Sequence, residues 1–189
     1  MLIIYFLLAY LIGSLMAGFF VVKVLGNKDI RVEGSGNVGA RNAGRVHGKT
    51  SFVLTFLGDA LKGALVILAG RYFGFTDEII LAGLGFALLG HIKPITLKFK
   101  GGMGISTFIG GMLAFEPLIA IFLIAGFLLL YPLVKSFTFA GLGAFILIPI
   151  TLLFLESSWG IFLMSGILVL IILYVHLDDI KERLDNKSK

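Results

Sequence analysis

No cysteine occurs among the 189 residues, which excludes disulfides, thiolate chemistry and cysteine metal sites. The three histidines, His47, His91 and His176, are far apart in the chain, which speaks against a histidine-built metal centre. Charge is scarce as well. Only 14% of residues are charged, where soluble domains carry about a quarter. Apolar residues make up 58% of the chain, and the mean hydropathy is +1.04. A soluble fold of this length has too little interior to hide that much apolar surface. The first 22 residues are apolar, with no basic stretch before them and no small-residue cleavage site after. That is not the pattern of a cleaved signal peptide, and it reads as a first span that stays.

What the chain does have is a series of apolar stretches, roughly 2–22, 52–73, 79–92, 105–115, 118–134, 139–155 and 158–175. Crossing about 30 Å of hydrocarbon takes about 20 apolar residues. The expectation is an all-α integral membrane protein, a single polytopic domain over 1–189 with about seven transmembrane helices. The third and fourth stretches are short, so tilt, re-entry or a thinned bilayer must accommodate them. Basic residues set the orientation. Lys23, Lys28, Arg31, Arg41, Arg45 and Lys49 follow the first span; Lys93, Lys98 and Lys100 follow the third; Lys135 follows the fifth; Lys181, Arg183, Lys187 and Lys189 follow the seventh. The opposite loops hold Arg71 as their only cation, with Asp77, Glu78, Glu116 and Glu156. Fourteen cations against one place the amino terminus outside and the carboxyl terminus in the cytoplasm. The cytoplasmic segments are then the loops 23–51, 93–104 and 135–138 and the tail 176–189. The net charge of +5 becomes a membrane-face feature, and nucleic acid is not an expected partner. No internal repeat is visible, which weighs against an inverted-repeat transporter.

Polar chemistry concentrates in those cytoplasmic segments. The longest loop runs from Gly34 to Arg45 and holds Gly34, Ser35, Gly36, Asn37, Gly39, Arg41 and Asn42. Closely spaced glycines let a backbone approach a ligand and turn its N–H groups toward an anion, and arginine forks suit phosphate. A flexible loop touching anionic headgroups is the competing reading. The spacing Gly34, Gly36, Gly39 also imitates a dinucleotide fingerprint, with Asp59 further on. That motif needs a preceding strand, and a membrane helix precedes this one, so the fingerprint is rejected. A second loop carries His91, Lys93, Pro94, Lys98, Lys100, Gly101, Gly102, Met103 and Gly104 just before a new helix, whose first N–H groups suit an anion. Positive-inside anchoring plus a turn is the bland alternative. Asp59 and Lys62 lie three apart in the second span, on one helical face, where they must pair with each other or with a ligand. His176 and Asp179, also three apart, close the last helix and are either a substrate contact or part of a solvated tail. Several donor sets on one face of a helix bundle suggest a pocket for a phosphorylated compound, with lipid chains entering sideways.

These residues resemble the bacterial acyl-phosphate:glycerol-3-phosphate acyltransferases, the PlsY type. The resemblance rests on G-S-G-N-x-G-A-x-N-x-x-R from Gly34 to Arg45, on D-x-x-K-G at Asp59, Lys62 and Gly63, and on H-x-x-P-x-x-x-x-F-K-G-G-x-G from His91 to Gly104. It covers nearly the whole chain. It implies a seven-span enzyme of the bacterial plasma membrane, multi-pass with a cytoplasmic active face. Such an enzyme moves an acyl chain from acyl phosphate to the 1-hydroxyl of glycerol 3-phosphate, giving lysophosphatidic acid for phospholipid synthesis. No metal, cofactor or acyl carrier is implied. Membrane lipids are the expected surroundings and a monomer the expected state. By position, Arg45, Lys100 and His176 would form the catalytic set. Gly34, Ser35, Gly36, Asn37, Gly39, Arg41, Asn42, Asp59, Lys62, His91, Gly101, Gly102, Thr138 and Asp179 would bind substrate.

The chain departs from the family pattern at four places. Met103 stands where the family usually has lysine, Arg41 where it has threonine, and Asp179 where it has asparagine. The serine-rich start of the sixth span is reduced to Thr138-Phe139-Ala140-Gly141. Arg41 is a gained cation in the same constellation and the candidate to replace the missing ammonium; the rival arrangement pairs it with Asp179. Two other classes compete with the enzyme. One is a paralogue that binds phosphorylated lipid precursors without turnover. The other is a small transporter, which is weakened because only Asp59 and Lys62 lie deep.

Overall fold

The computed structural model describes residues 1–156 and 158–185. Lys187, Lys189 and the side chains of Glu156 and Arg183 lie outside the described residues. Every regular element among the described residues is helical, as the apolar runs demand, since in hydrocarbon each backbone polar group must be satisfied within its own segment. The chain divides into two compact units, residues 1–115 and 116 onward.

The first unit holds α1 (Leu2–Gly13), α2 (Ala17–Gly26), a 3-10 turn (Ile30–Val32), α3 (Ala40–Tyr72), α4 (Asp77–Ile92), a second 3-10 turn (Ile95–Leu97) and α5 (Ile105–Phe115). Helix α1 packs on α4, and α3 packs on α2, α4 and α5. Small residues permit these approaches. A side chain at Gly13 would collide with the Ala87 carbonyl, and one at Gly90 with the Tyr10 carbonyl, so α1 and α4 approach at both glycines. The same reciprocity joins α3 and α5, where Gly63 faces the Thr107 carbonyl and Gly110 the Ala60 carbonyl. In a bilayer, packing of this kind replaces the hydrophobic drive that folds soluble bundles. The leucines of α1 and α3 point the other way: Leu7, Leu8, Leu57, Leu61 and Leu68 are exposed, as lipid-facing residues should be.

Two features depart from the simple span reading. The first apolar run, Leu2–Gly26, is long enough to cross but is interrupted at 14–16, where Met16 adopts an extended conformation (φ −91°, ψ 97°). Helix α3 reaches well before the apolar stretch that begins near 52, because its first two turns form a separate segment. At Gly48 the backbone turns to φ 81° and ψ −174°, and the helix axis breaks there. Only glycine takes that conformation without strain.

Local chemistry sets the other ends. Asn27 closes α2 in a left-handed conformation, its N–H donating to the Lys23 carbonyl. Asp77 and Glu78 occupy the first turn of α4, where carboxylates complement the helix dipole. Pro94 follows the end of α4 and cannot extend it.

The second unit holds α6 (Ile119–Val134), α7 (Phe137–Phe145), α8 (Leu147–Glu156), α9 (Trp159–Val175) and α10 (Leu177–Asp185). Ser158 caps α9 by accepting from the Ile161 N–H (3.3 Å). Helix α6 packs on α7 and α8, and α9 on α8 and α7. Helices α7 and α8 form one apolar run, Phe137–Leu155, long enough to cross a membrane. With Leu2–Gly26, Ala40–Tyr72 and Asp77–Leu97, that makes four such runs among the described residues, beside the shorter apolar helices α5, α6 and α9.

Candidate phosphate-ester site

The first loop is built around Asn42, a buried residue only 2% exposed. Its Nδ2 donates to the carbonyls of Glu33 (2.9 Å) and Asn37 (2.9 Å), and its Oδ1 accepts from the Ser35 N–H (2.9 Å). Asn42 is therefore the staple of the loop, and its side chain has little capacity left for a ligand. Asn37 Oδ1 accepts from the Gly39 N–H (2.9 Å), and the Gly36 N–H donates to the Glu33 carbonyl (3.0 Å). The glycine-rich loop thus turns several N–H groups onto its own acceptors rather than outward. What it leaves for an anion is the start of α3, where no side chain caps the helix after Gly39. Gly34 and Gly36 sit at positive φ, 60° and 72°, which the tight turns around Asn42 require. The exposed Arg41 and Arg45 stand on the first two turns of α3, ahead of the break at Gly48.

The loop approach is steadied by Asp29 and Arg31. Arg31 donates to Asp29 from both Nε and Nη2 (3.0 and 2.7 Å) and lies over the Phe19 ring, 5.3 Å from its centroid. The guanidinium hydrogen bonds hold the Asp29 carboxyl down at about 2, and the same bonds raise Arg31.

The second loop leaves α4 at His91 and meets the first. The Val38 N–H points at the Gly101 carbonyl (3.5 Å). Met16, Val22, Ile30, Val38, Ala43 and Leu97 form one buried cluster beneath both loops. Lys98 and Phe99 are held at φ 53° and 62°, two consecutive left-handed residues without glycine. Such strain persists only where surroundings impose it and collects at functional sites. Here it delivers the exposed Lys100 to the start of the Gly101-Gly102 turn. Gly101 lies against the His91 carbonyl and Gly102 against the His91 ring, with no room for a side chain at either.

Asp59, Lys62 and His91 lie deeper, at 0%, 5% and 2% exposure. Lys62 Nζ pairs with Asp59 Oδ1 (2.9 Å) and donates to the carbonyls of Gly13 and Leu15 (both 2.9 Å). The Ala17 N–H reaches Asp59 Oδ1 (3.4 Å). The ion pair is therefore turned to the interruption of the first span. His91 Nδ1 lies 3.2 Å from Thr107 Oγ1 and 3.8 Å from Asp59 Oδ1. Ser14, Thr96 and Thr107 belong to this arrangement and escape a reading of the sequence. Their one signal is a small hydroxyl residue inside or beside an apolar run.

Thr138, His176 and Asp179 belong to the second unit. Thr138 is half-buried near the start of α7, and Asp179 half-buried in the first turn of α10. His176 is buried at the end of α9, its Nδ1 2.8 Å from the Ile172 carbonyl. A carbonyl only accepts, so Nδ1 carries a proton toward it, and Nε2 is the ring nitrogen left for other partners. Met103, where the family pattern has lysine, is half-buried in the first unit. Among the described residues no three His, Asp or Glu side chains converge as a metal site would require.

The family model for glycerol-3-phosphate acyltransferase matches residues 3–186. Glycerol-3-phosphate acyltransferase 1 of Bacillus cereus is 45% identical over 172 residues, covering 91% of this chain and 94% of that protein. The protein of the same name from Desulfitobacterium hafniense is 37% identical over 185 residues, covering 96% of this chain and 90% of its own. Among solved structures, the glycerol 3-phosphate form of PlsY (YgiH), an integral membrane glycerol 3-phosphate acyltransferase, superposes with a TM-score of 0.87. It is 31% identical, over 98% of this chain and 92% of that one.

Proposed function

The chain belongs to the glycerol-3-phosphate acyltransferase family, and on that premise we propose that it acylates glycerol 3-phosphate at the 1-hydroxyl, with acyl phosphate as donor. The hydroxyl oxygen attacks the acyl carbonyl, the carbonyl carbon–phosphate oxygen bond breaks, and the hydroxyl proton leaves on the departing phosphate. The products are lysophosphatidic acid and inorganic phosphate. Catalysis of this kind is positioning and charge neutralisation of two phosphates.

The observation that carries the reading is the joining of two glycine-rich loops at Val38 and Gly101, each bearing exposed cations. Arg45 and Lys100 neutralise phosphate, with the uncapped start of α3 adding N–H donors. Ser35, Asn37 and Gly39 shape that surface, and Arg41 stands in for the ammonium absent at Met103. The family resemblance assigns His176 to the acceptor hydroxyl, and Thr138 and Asp179 to substrate binding. The topology that fits has about seven crossings, the amino terminus outside, and the loops on the cytoplasmic face of a bacterial plasma membrane; the active state is a monomer.

Purified protein in detergent or lipid, given acyl phosphate and glycerol 3-phosphate, should release phosphate and form lysophosphatidic acid. A folded sample that turns over no acyl phosphate of any chain length sinks the proposal in favour of a binding paralogue. Arg45→Ala should lower kcat by about 100-fold, the usual scale for one charge-stabilising donor. Met103→Lys should leave the activity unchanged or lower it, because Arg41 already fills that place; an activity well above wild type would show the place vacant.

A further inference from the structure

We infer that Asp59, Lys62 and His91 are positioning residues, which set the spacing of the two loops from a buried network and do not touch substrate. This inference rests on the acyl-transfer reading for its kinetic consequence, though not for its structural one.

The argument begins with donor capacity. A lysine ammonium has three N–H bonds, and those of Lys62 meet Gly13 O, Leu15 O and Asp59 Oδ1, each at 2.9 Å. None remains for a phosphate. The interruption at 14–16 leaves helix-end carbonyls and N–H groups that would be unsatisfied in an apolar surround. Lys62 takes the carbonyls on either side of Ser14, Thr96 Oγ1 takes the Ser14 carbonyl itself (2.6 Å), and Asp59 takes the Ala17 N–H. The break is thus held open by groups from α3 and from the second loop.

The network reaches both loops. Met16, at the end of the break, packs with Ile30, Val38 and Ala43 of the first loop and with Leu97 of the second. His91 faces Asp59 and bonds Thr107, its carbonyl accepts the Gly102 N–H (3.0 Å), and its ring fills the space a side chain at Gly102 would need. A shift of Lys62 therefore moves the break, the Met16 cluster and the Lys100 turn together.

A double-mutant cycle tests this. Lys62→Met alone should lower kcat by about 100-fold, the scale of an ångström of misplacement, with the KM for glycerol 3-phosphate little changed. In a Lys100→Ala background most of that loss should vanish, because the misplaced group is already gone. An equal fold-loss in both backgrounds overturns the inference. The paired variant Asp59→Leu with Lys62→Met leaves no lone buried charge, so it remains testable if Lys62→Met fails to fold.

Hydrogen exchange supplies the second arm. In either variant the amides of residues 98–104 should exchange faster together with those of 13–17. Unchanged protection at 98–104 overturns the coupling. Because this arm needs no turnover, a wild-type protein without acyl transfer defeats the proposed function while the exchange result still decides the coupling.

Discussion

Asn42 shows how a single amide organises a loop. Its Nδ2 faces two carbonyls at 2.9 Å, so Asn42→Asp would set an acceptor against acceptors at nearly the same shape. The expected loss is about 2–3 kcal/mol, the desolvation penalty of groups left unpaired, read as a lower melting temperature in detergent. The sequence singles out Asn42 as a donor for substrate, because asparagine in a glycine-rich loop looks alike in either role; only the directions of its hydrogen bonds separate them. Asp29 is legible only as a charge, yet Arg31 depresses its carboxyl from 3.8 to about 2. A depressed carboxyl adds stability that is present above its ordinary range and is lost as pH falls through 3.8 toward about 2. The wild type should therefore exceed Asp29→Asn in thermal stability at pH 6, by a small margin since the pair is solvated. The two melting curves should converge near pH 2, and a margin that persists there would contradict the assignment. The left-handed backbone of Lys98 and Phe99 was not legible, since neither residue type signals it.

Among the elements, the apolar runs were readable because about 20 residues without charge admit few structures. Their interruptions were not. Ser14 and Ile146 sit inside runs of uniform hydropathy, and what satisfies the carbonyls at the first break is a lysine more than forty positions away whose partners no spacing rule reveals. The three-residue separation of Asp59 and Lys62 does announce the pair, and the structure closes it at 2.9 Å. It does not announce that the pair serves another helix. The reciprocal glycines carry the firmest prediction at this scale. Gly63→Leu would drive a side chain into the Thr107 carbonyl and the Gly111 amide, and backbone cannot yield as a flexible side chain does. Destabilisation should reach the upper end of the about 1–3 kcal/mol typical of overpacking. Gly141→Ala, with nothing within 4 Å of the added carbon, is the control and should melt like wild type. Equal melting of both variants would refute the close α3–α5 approach.

For the whole molecule, the chain's lack of cysteine makes it a ready background for mapping its orientation. In intact cells an impermeant maleimide should label Tyr72→Cys, at an 86% exposed position, and spare Lys49→Cys until the membrane is opened. The reverse pattern would invert the proposed topology. The interrupted first span also bears on how the protein is made. Its open carbonyls at Gly13 and Leu15 find their donor at Lys62, so they gain that partner only once α3 has been made. The charge of Lys62 and that of Asp59 enter in the same helix and leave water together as a pair. His91 and Thr107 come later, in α4 and α5, and join a knot already neutral. Synthesis from the amino end therefore brings each buried charge a partner in the same segment. Moving either charge into a later helix would leave the newborn protein holding a lone ion in oil.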